Sequence, residues 1–192
     1  MALSIDPLPP ILVTGPARSG KSEWAEYLAT TSGRTVTYVA TAQLDPADAE
    51  WQQRIEQHRQ RRPATWTTLA VPIALAETIQ AATTQDCLLS DSLGTWLANL
   101  LDQDEATWAQ ICQTLLDRLQ QTPSLVIVVA EETGWGVVPA YPIGRRFRDR
   151  LGHLTRQIGA IASPVYLVAA GHVLNLGQIG VALPKQNGMG ER

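Results

Sequence analysis

The segment at residues 15–22, GPARSGKS, constrains the fold of this chain more than any other. It fits the pattern GxxxxGK[ST], it follows the apolar run at 11–14, and it precedes a stretch with helical apolar spacing. A glycine-rich turn of this kind directs successive backbone N–H groups at a phosphate, and the positive end of the helix dipole adds to the attraction. The sequence therefore predicts a strand, a phosphate-binding loop and a helix, in that order.

Two side chains of the loop have predicted roles in binding a nucleotide. Lys21 can reach the β- and γ-phosphates, and the hydroxyl of Ser22 can ligate Mg²⁺. An acid that helps to hold the metal is expected at the end of a neighbouring strand, and Asp91, after the apolar run at 87–90, is the candidate. An aspartate there could otherwise be an ordinary solvated residue. The loop residues predicted to bind nucleotide are Gly15, Pro16, Ala17, Arg18, Ser19, Gly20, Lys21 and Ser22.

Short apolar runs alternate with helical stretches along the chain. Runs rich in Val, Ile and Leu without strict alternation are typical of strands that are buried on both faces. The pattern predicts an α/β fold, with a mostly parallel sheet and helices on both faces. The expected strands are 11–14, 36–40, 67–71, 87–90, 125–130 and 165–169, and the expected helices are 22–29, 45–62, 73–82, 93–101, 104–121 and 144–162.

The length and composition predict one domain. The chain has 192 residues, of which 45% are hydrophobic and 17% charged, so a sizeable core is available. Residues 1–10 contain three prolines and are predicted to be a loose leader, 11–180 a single nucleotide-binding domain, and 181–192 a C-terminal tail.

Charge and apolar patterning exclude several classes of function. A net charge of -3 argues against a protein that coats nucleic acid. The longest apolar run, 125–130, is far too short to cross a bilayer, and the N-terminus lacks the pattern of a secretion signal. The spacing of Cys87 and Cys112 fits no zinc site. We expect a cytoplasmic protein without membrane insertion and without a nucleic-acid partner.

A basic segment around His58 is a second candidate site. On a helix, Arg54 lies four residues before His58, while Arg61 and Arg62 lie three and four residues after it, all on one side. Neighbouring cations disfavour the imidazolium, so we expect a neutral and therefore nucleophilic imidazole. The same arginines could grip a triphosphate. The alternative is an ordinary surface histidine on a basic helix.

Two acids, Glu131 and Glu132, directly follow the predicted strand at 125–130. Open α/β sheets bind their ligands at the carboxyl ends of the strands, so this is a candidate ligand position. The next basic stretch, RRFRDR at 145–150, is either a solvated helix face or an anion clamp, and periodicity does not decide between them.

Together these motifs resemble the bifunctional adenosylcobinamide kinase / adenosylcobinamide-phosphate guanylyltransferase family of cobalamin biosynthesis. The resemblance runs from about residue 11 to residue 170. It rests on ILVTGPARSGKSEWAE, on YVATAQ at 38–43, on RIEQHRQRRPATW at 54–66, on LLSDSLGTWLANLL at 88–101, and on EETGWGVVP followed by RRFRDRLG. A phosphate loop alone would be generic, but this combination in this order is specific.

The resemblance implies a single RecA-like, P-loop NTPase-like domain that assembles as a homotrimer and catalyses two reactions. The first transfers a phosphoryl group from ATP or GTP to the aminopropanol hydroxyl of adenosylcobinamide. The second transfers GMP from GTP to adenosylcobinamide-phosphate, with release of pyrophosphate, and gives adenosyl-GDP-cobinamide. The GMP passes through a covalent histidine adduct, at the position of His58. The resemblance also implies nucleotide contacts at residues 15–22 and at Glu132.

The chain departs from the family pattern at three places. Pro16 follows Gly15 where a Gly-Gly or Gly-Ala pair is usual, Glu131-Glu132 replaces an Asn-Glu pair, and Thr155-Arg156 replaces Asn-Gln.

Two other functions stay open: a chain that retains only one of the two activities, and a nucleotide-binding switch protein. The reactive residues favour an enzyme, because a protein that only binds nucleotide has no need of a nucleophilic histidine; these residues are Lys21, Ser22, Asp91 and His58.

Overall fold

The computed structural model describes residues 7–43 and 62–184. These residues contain seven strands, which form one sheet. The strands are β1 (Ile11–Gly15), β2 (Thr35–Ala40), β3 (Thr67–Ala70), β4 (Asp86–Asp91), β5 (Leu125–Glu131), β6 (Val165–Ala169) and β7 (His172–Asn175).

Their order in the sheet is β3-β2-β4-β5-β1-β6-β7. All neighbouring pairs are parallel except β6 and β7, which are antiparallel. The predicted α/β class with a mostly parallel sheet is confirmed.

Within residues 7–43 and 62–184, six helices connect and flank the strands. They are α1 (Lys21–Thr31), α2 (Leu75–Ala81), α3 (Leu93–Ala98), α4 (Glu105–Gln121), α5 (Pro142–Gly159) and α6 (Leu176–Ile179). The helix predicted at 45–62 lies outside the described residues except for its last position, Arg62, which is in a bend and not in a helix. None of the helices in the described part of the chain is both long enough and apolar enough to cross a membrane.

The central strands β1, β4 and β5 are buried on both faces, as their apolar runs require, whereas the edge strands β3 and β7 are exposed. Leu12, Val126 and Val128 pack in one cluster with side chains from helices α2 to α5. Their neighbours along the strands, Val13 and Ile127, pack in a second cluster with α1. Since successive strand residues point to opposite faces, each inner strand contributes to two cores.

The face that α1 turns to the sheet is centred on small residues. Trp24, Tyr27 and Leu28 have the spacing of an apolar stripe, yet the fully buried residues of the helix are Ala25 and Ala29, and Tyr27 is 55% exposed. Small side chains let the helix backbone approach the sheet closely. Trp24 and Leu28 are partly buried and pack against the same core, and the ring centroid of Trp24 lies 5.1 Å from that of Tyr27. The helix therefore starts directly at the edge of the sheet where β1 ends.

Candidate nucleotide site

The loop between β1 and α1 has a backbone that only glycine permits at two positions. A Cβ at Gly15 would clash with the carbonyl oxygen of Val168 and the hydroxyl of Ser19. Gly20, the residue before α1, has a φ of 93°, in the left-handed region that favours glycine. The two glycines of the sequence pattern are thus explained by the shape of the loop.

Lys21, the first residue of α1, folds back over this loop. Its side chain is buried, and its ammonium donates a hydrogen bond to the carbonyl oxygen of Pro16 at 3.2 Å. The ammonium is held among the backbone groups that the motif predicts to surround a phosphate. Pro16, one of the departures from the family pattern, takes part through its carbonyl, a group that every residue type has.

The carboxyl ends of β1, β5, β4 and β2 lie along one edge of the sheet. Gly15 is paired with Glu131 on β5, and Asp91 on β4 is paired with Val129 on β5 and with Ala40 on β2. The predicted phosphate loop and the predicted metal-binding acid therefore lie on the same edge, with one strand between them.

The carboxylate of Asp91 is oriented by a buried tyrosine, Tyr38, which was not among the predicted site residues. The hydroxyl of Tyr38 donates a hydrogen bond to Oδ2 of Asp91 at 3.1 Å. Tyr38 is 4% exposed, and burial, followed by the charge of Asp91, raises the pKa of its hydroxyl above the ordinary value. The hydroxyl therefore remains a proton donor at physiological pH.

Arg62 packs on the same tyrosine. Its guanidinium carbon lies 3.2 Å from the centroid of the Tyr38 ring, and its Nη1 donates to the hydroxyl of Thr68 at 3.4 Å. A cation above an aromatic face is attracted by the ring quadrupole. Of the predicted basic cluster, Arg62 is described and lies against the strand that supports Asp91. Arg54, His58 and Arg61 lie outside the described residues, and their roles stay predictions.

The two acids after β5 have different surroundings. Glu131 accepts hydrogen bonds from the hydroxyl of Ser92 and, at 2.9 Å, from the backbone N–H of Gly94. Its carboxylate is thereby committed to the start of α3, where the helix dipole favours negative charge. The acid that replaces the family's asparagine is thus a structural link between β5 and α3.

Glu132 lies beside the phosphate loop. Its backbone N–H donates to the carbonyl oxygen of Gly15 at 2.9 Å, and its Oε1 accepts from the N–H of Gly134 at 2.6 Å. The structure brings Glu132 to the predicted place, while its contact with a nucleotide stays a prediction.

A group of polar side chains fixes the loops around Asp91. Thr41 Oγ1 donates to the carbonyl of Ser92 at 2.7 Å and accepts from its N–H at 3.0 Å. The amide of Asn99 donates to the carbonyls of Thr41 and Pro72, at 2.8 and 2.9 Å. The sequence analysis missed these residues as site residues, although they lie within the YVATAQ and LLSDSLGTWLANLL segments.

The residues at this edge fit a magnesium ion that is bound together with phosphates. Mg²⁺ prefers oxygen ligands and in nucleotide sites takes only one or two of them from the protein. Ser22 offers a hydroxyl and Asp91 a carboxylate, which are donors of the right kind. Within residues 7–43 and 62–184, no group of three or more His, Cys, Asp or Glu side chains could hold a metal alone. A metal here would depend on the phosphate oxygens.

The basic segment of α5 is divided between structural roles and the surface. Arg150 is buried and binds Glu105 at 2.6 Å and the carbonyls of Leu101 and Gln103. Arg145 binds the carbonyl of Pro139 at 3.0 Å. These two arginines thus bind backbone carbonyls and an acid of the same chain. The segment as a whole is therefore neither a solvated helix face nor an anion-binding clamp.

Both cysteines are buried free thiols. Burial raises the pKa of the Cys87 and Cys112 thiols to about 11. Neither is a reactive thiolate at neutral pH.

A phosphate loop between β1 and α1, with an acid two strands away across β5, defines a P-loop nucleotide-binding protein of the RecA-like type. The sequence profile of the cobinamide kinase / cobinamide phosphate guanyltransferase family matches residues 11–176. The chain belongs to this family, whose members are enzymes of cobalamin biosynthesis.

Two curated relatives support this assignment. The bifunctional adenosylcobalamin biosynthesis protein CobP of Pseudomonas aeruginosa is 44% identical over 162 residues, which cover 83% of this chain and 92% of that protein. The bifunctional adenosylcobalamin biosynthesis protein CobU of Escherichia coli K12 is 39% identical over 177 residues, covering 84% of this chain and 96% of that protein.

A solved structure shares the fold alone. It is a prototypical ATPase from the type III secretion system of pathogenic bacteria, with a TM-score of 0.50 and 12% sequence identity. The similarity covers 89% of this chain and 53% of the ATPase.

Proposed function

We propose that this chain carries both activities of its family. It phosphorylates adenosylcobinamide with ATP or GTP, and it then transfers GMP from GTP to adenosylcobinamide-phosphate. The observation that carries the proposal is the placement of Lys21 inside the phosphate loop, on the same sheet edge as Asp91. The family membership supplies the acceptor, since a phosphate loop by itself does not name one.

In the kinase step, the acceptor hydroxyl oxygen attacks the γ-phosphorus of the nucleotide. The bond from that phosphorus to the β–γ bridging oxygen breaks, the hydroxyl proton is released, and the nucleoside diphosphate leaves. Lys21 and the loop N–H groups stabilise the charge on the phosphate oxygens. Mg²⁺, bound by Ser22, Asp91 and the phosphates, would neutralise further charge on the transferred group. Tyr38 holds the Asp91 carboxylate in place.

In the second step, an imidazole nitrogen of His58 attacks the α-phosphorus of GTP and pyrophosphate leaves. A phosphate oxygen of adenosylcobinamide-phosphate then attacks the phosphoramidate, the N–P bond breaks, and a diphosphate linkage forms. Arg54, Arg61 and Arg62 neutralise the triphosphate, and Glu132 contributes to nucleotide binding. Splitting the transfer positions one nucleophile before the second substrate arrives.

The test uses GTP labelled at the α-phosphorus, followed by denaturing electrophoresis. We expect label on the protein that is lost in acid and kept in alkali, as for a phosphoramidate. His58→Ala removes the label and guanylyl transfer but leaves kinase activity measurable. His172→Ala is the matched control, because this exposed histidine forms a hydrogen bond with the carbonyl of Ala170 in its own turn. Label that persists in His58→Ala, or that is absent from the parent protein, contradicts the histidine mechanism.

We also propose that the protein is a cytoplasmic homotrimer. The support is the resemblance of the motifs to a trimeric family. Light scattering on the full chain tests it, with a mass of three chains expected and a mass of one chain as the contradicting result.

A further inference from the structure

A groove of about 410 Å³ runs along α5. Most of its lining comes from one face of this helix, and one residue comes from the loop after β5. The lining residues are Gly134, Arg148, Asp149, Gly152, His153 and Arg156. The nucleotide site described above uses none of these side chains.

Gly152 forms the floor of the groove, at a position where the fold would accept a residue with a side chain. Gly152 lies in the interior of the 18-residue helix α5 and is exposed, and a Cβ there would meet no atom within 4 Å. Glycine weakens a helix interior relative to alanine. Packing within the chain therefore does not explain this residue. The missing side chain opens the groove between Arg148 and Arg156, which lie four residues to either side on the same helix face.

The groove is suited to an anion. Arg148 is paired with Asp149 at 2.7 Å, which cancels its charge locally. No ion pair of Arg156 with an acid is seen in the described part of the chain, and His153 lies one turn before it. The lining is thus net positive in a protein whose net charge is -3. Arginine binds phosphate with a planar fork, so a phosphate monoester is the matching chemistry.

The groove is linked to the phosphate loop through two hydrogen bonds of Glu132, one of its backbone and one of its side chain. Glu132 donates its N–H to Gly15 and accepts from Gly134, which is part of the lining. The loop then continues with exposed apolar side chains: Trp135 is 65% and Val137 94% exposed. An anionic groove ligand with a large apolar body would find a complementary surface on this loop.

We propose that this groove is the binding site for the phosphorylated acceptor, adenosylcobinamide-phosphate. Arg156 contacts the phosphate monoester, Gly152 leaves room for the arm that carries it, and the loop at Trp135 contacts the hydrocarbon face of the corrin ring. The assignment rests on the proposed function, since that function supplies a ligand with one phosphate and a large ring.

The test compares the KM of each substrate in four variants of the full chain. Arg156→Ala removes the phosphate contact. Gly152→Leu places a side chain in the groove at a position where an added Cβ meets no atom within 4 Å. Arg146→Ala is the matched control for charge, because Arg146 is an exposed arginine of the same helix outside the groove. Gly152→Ala is the matched control for helix propensity. Thermal unfolding by circular dichroism verifies that each variant is folded.

We expect Arg156→Ala to raise the KM for adenosylcobinamide-phosphate about tenfold, the effect of one lost charged hydrogen bond. The KM for unphosphorylated adenosylcobinamide in the kinase step should change less than about threefold. Gly152→Leu raises both values, and the KM for GTP stays within about twofold of the parent in every variant. Arg146→Ala behaves like the parent.

Equal acceptor KM values in Arg156→Ala, Gly152→Leu and Arg146→Ala overturn the assignment. So does a Gly152→Leu protein that dissociates in light scattering with an unchanged acceptor KM, since the groove would then be a subunit contact. If the parent protein turns over neither acceptor, the proposed function itself fails. If the parent is active and the variants match the control, only the groove assignment fails.

Discussion

The hydroxyl of Tyr38 and the carboxylate of Asp91 are joined by a 3.1 Å hydrogen bond between two neighbouring strands. Tyr38 is buried in β2 with Arg62 stacked on its ring, so its hydroxyl has little freedom to move. Asp91 is thereby held in one orientation at the sheet edge. A carboxylate that is already oriented loses less entropy when it takes part in charge neutralisation.

Replacing Tyr38 with phenylalanine should lower kcat for the kinase step about fivefold, because one hydrogen bond worth about 1 kcal/mol no longer orients Asp91. The KM for the nucleotide should stay within about twofold. Asp91→Asn should be more severe, about a hundredfold in kcat, because the carboxylate charge itself is lost. Tyr166→Phe, the same change on β6, is the control. A Tyr38→Phe enzyme with parental kcat would show that Asp91 needs no support.

Tyr38 should also affect how the free energy of unfolding depends on pH in alkaline solution. Burial and the charge of Asp91 raise the pKa of Tyr38 in the folded protein, whereas in the unfolded chain it ionises near its ordinary value of 10.0. Above pH 10 the unfolded state alone loses this proton, so the folded state loses stability as the pH rises. Tyr38→Phe lacks this effect, and its unfolding free energy should fall less steeply, by up to about 1.4 kcal/mol per pH unit. Denaturant titrations at pH 9 to 11 measure it; parallel curves would contradict the assignment.

Lys21→Ala should abolish nucleotide triphosphate binding with little change in stability. The ammonium is the mobile positive charge of the phosphate loop, while its contact inside the chain is one hydrogen bond to Pro16. We expect at least about a hundredfold loss of GTP affinity by calorimetry. Lys185→Ala changes the other lysine of the chain and serves as the control. Near-parental GTP affinity in Lys21→Ala would move the triphosphate site elsewhere.

Glu131→Gln should destabilise the fold more than Glu132→Gln. Glu131 accepts from Ser92 and Gly94, and a glutamine turns one of these two acceptor oxygens into a donor. The loss should be about 1–2 kcal/mol, which lowers Tm by about 2–8 °C in a chain of this size. Glu132 accepts from a single N–H in an exposed turn, so its loss should stay below about 0.5 kcal/mol. Equal Tm values for the two variants would contradict the anchoring role of Glu131.

The strands and the phosphate loop could be predicted from the sequence because their signals are local. The apolar runs of β1, β4 and β5 and the spacing of the loop glycines are visible in a few consecutive residues. The edge hairpin of β6 and β7 was not predicted, because His172–Asn175 is a short and exposed strand with no apolar run of its own. The apolar spacing at 22–29 predicted the helix α1, but it does not reveal that Ala25 and Ala29 are its fully buried residues.

The support of Asp91 could not be predicted, since it depends on strand register. Tyr38 is typical of any strand, and 53 residues separate it from Asp91. Only the pairing of β2 with β4 brings the two side chains together. The hydrogen bond between Glu131 and Gly94 could not be predicted either, because it joins the end of β5 to the start of α3, which are far apart in the sequence.

The position of β5 between β1 and β4 has a consequence for ligand length. Neighbouring strands are about 4.8 Å apart, so the phosphate loop and Asp91 are separated laterally by roughly 10 Å. A single phosphate is too small to touch both, whereas a triphosphate chain with its metal can bridge them. The order of the strands thus sets the distance that a bound nucleotide has to span, and we expect the site to bind a nucleoside triphosphate more tightly than a monophosphate.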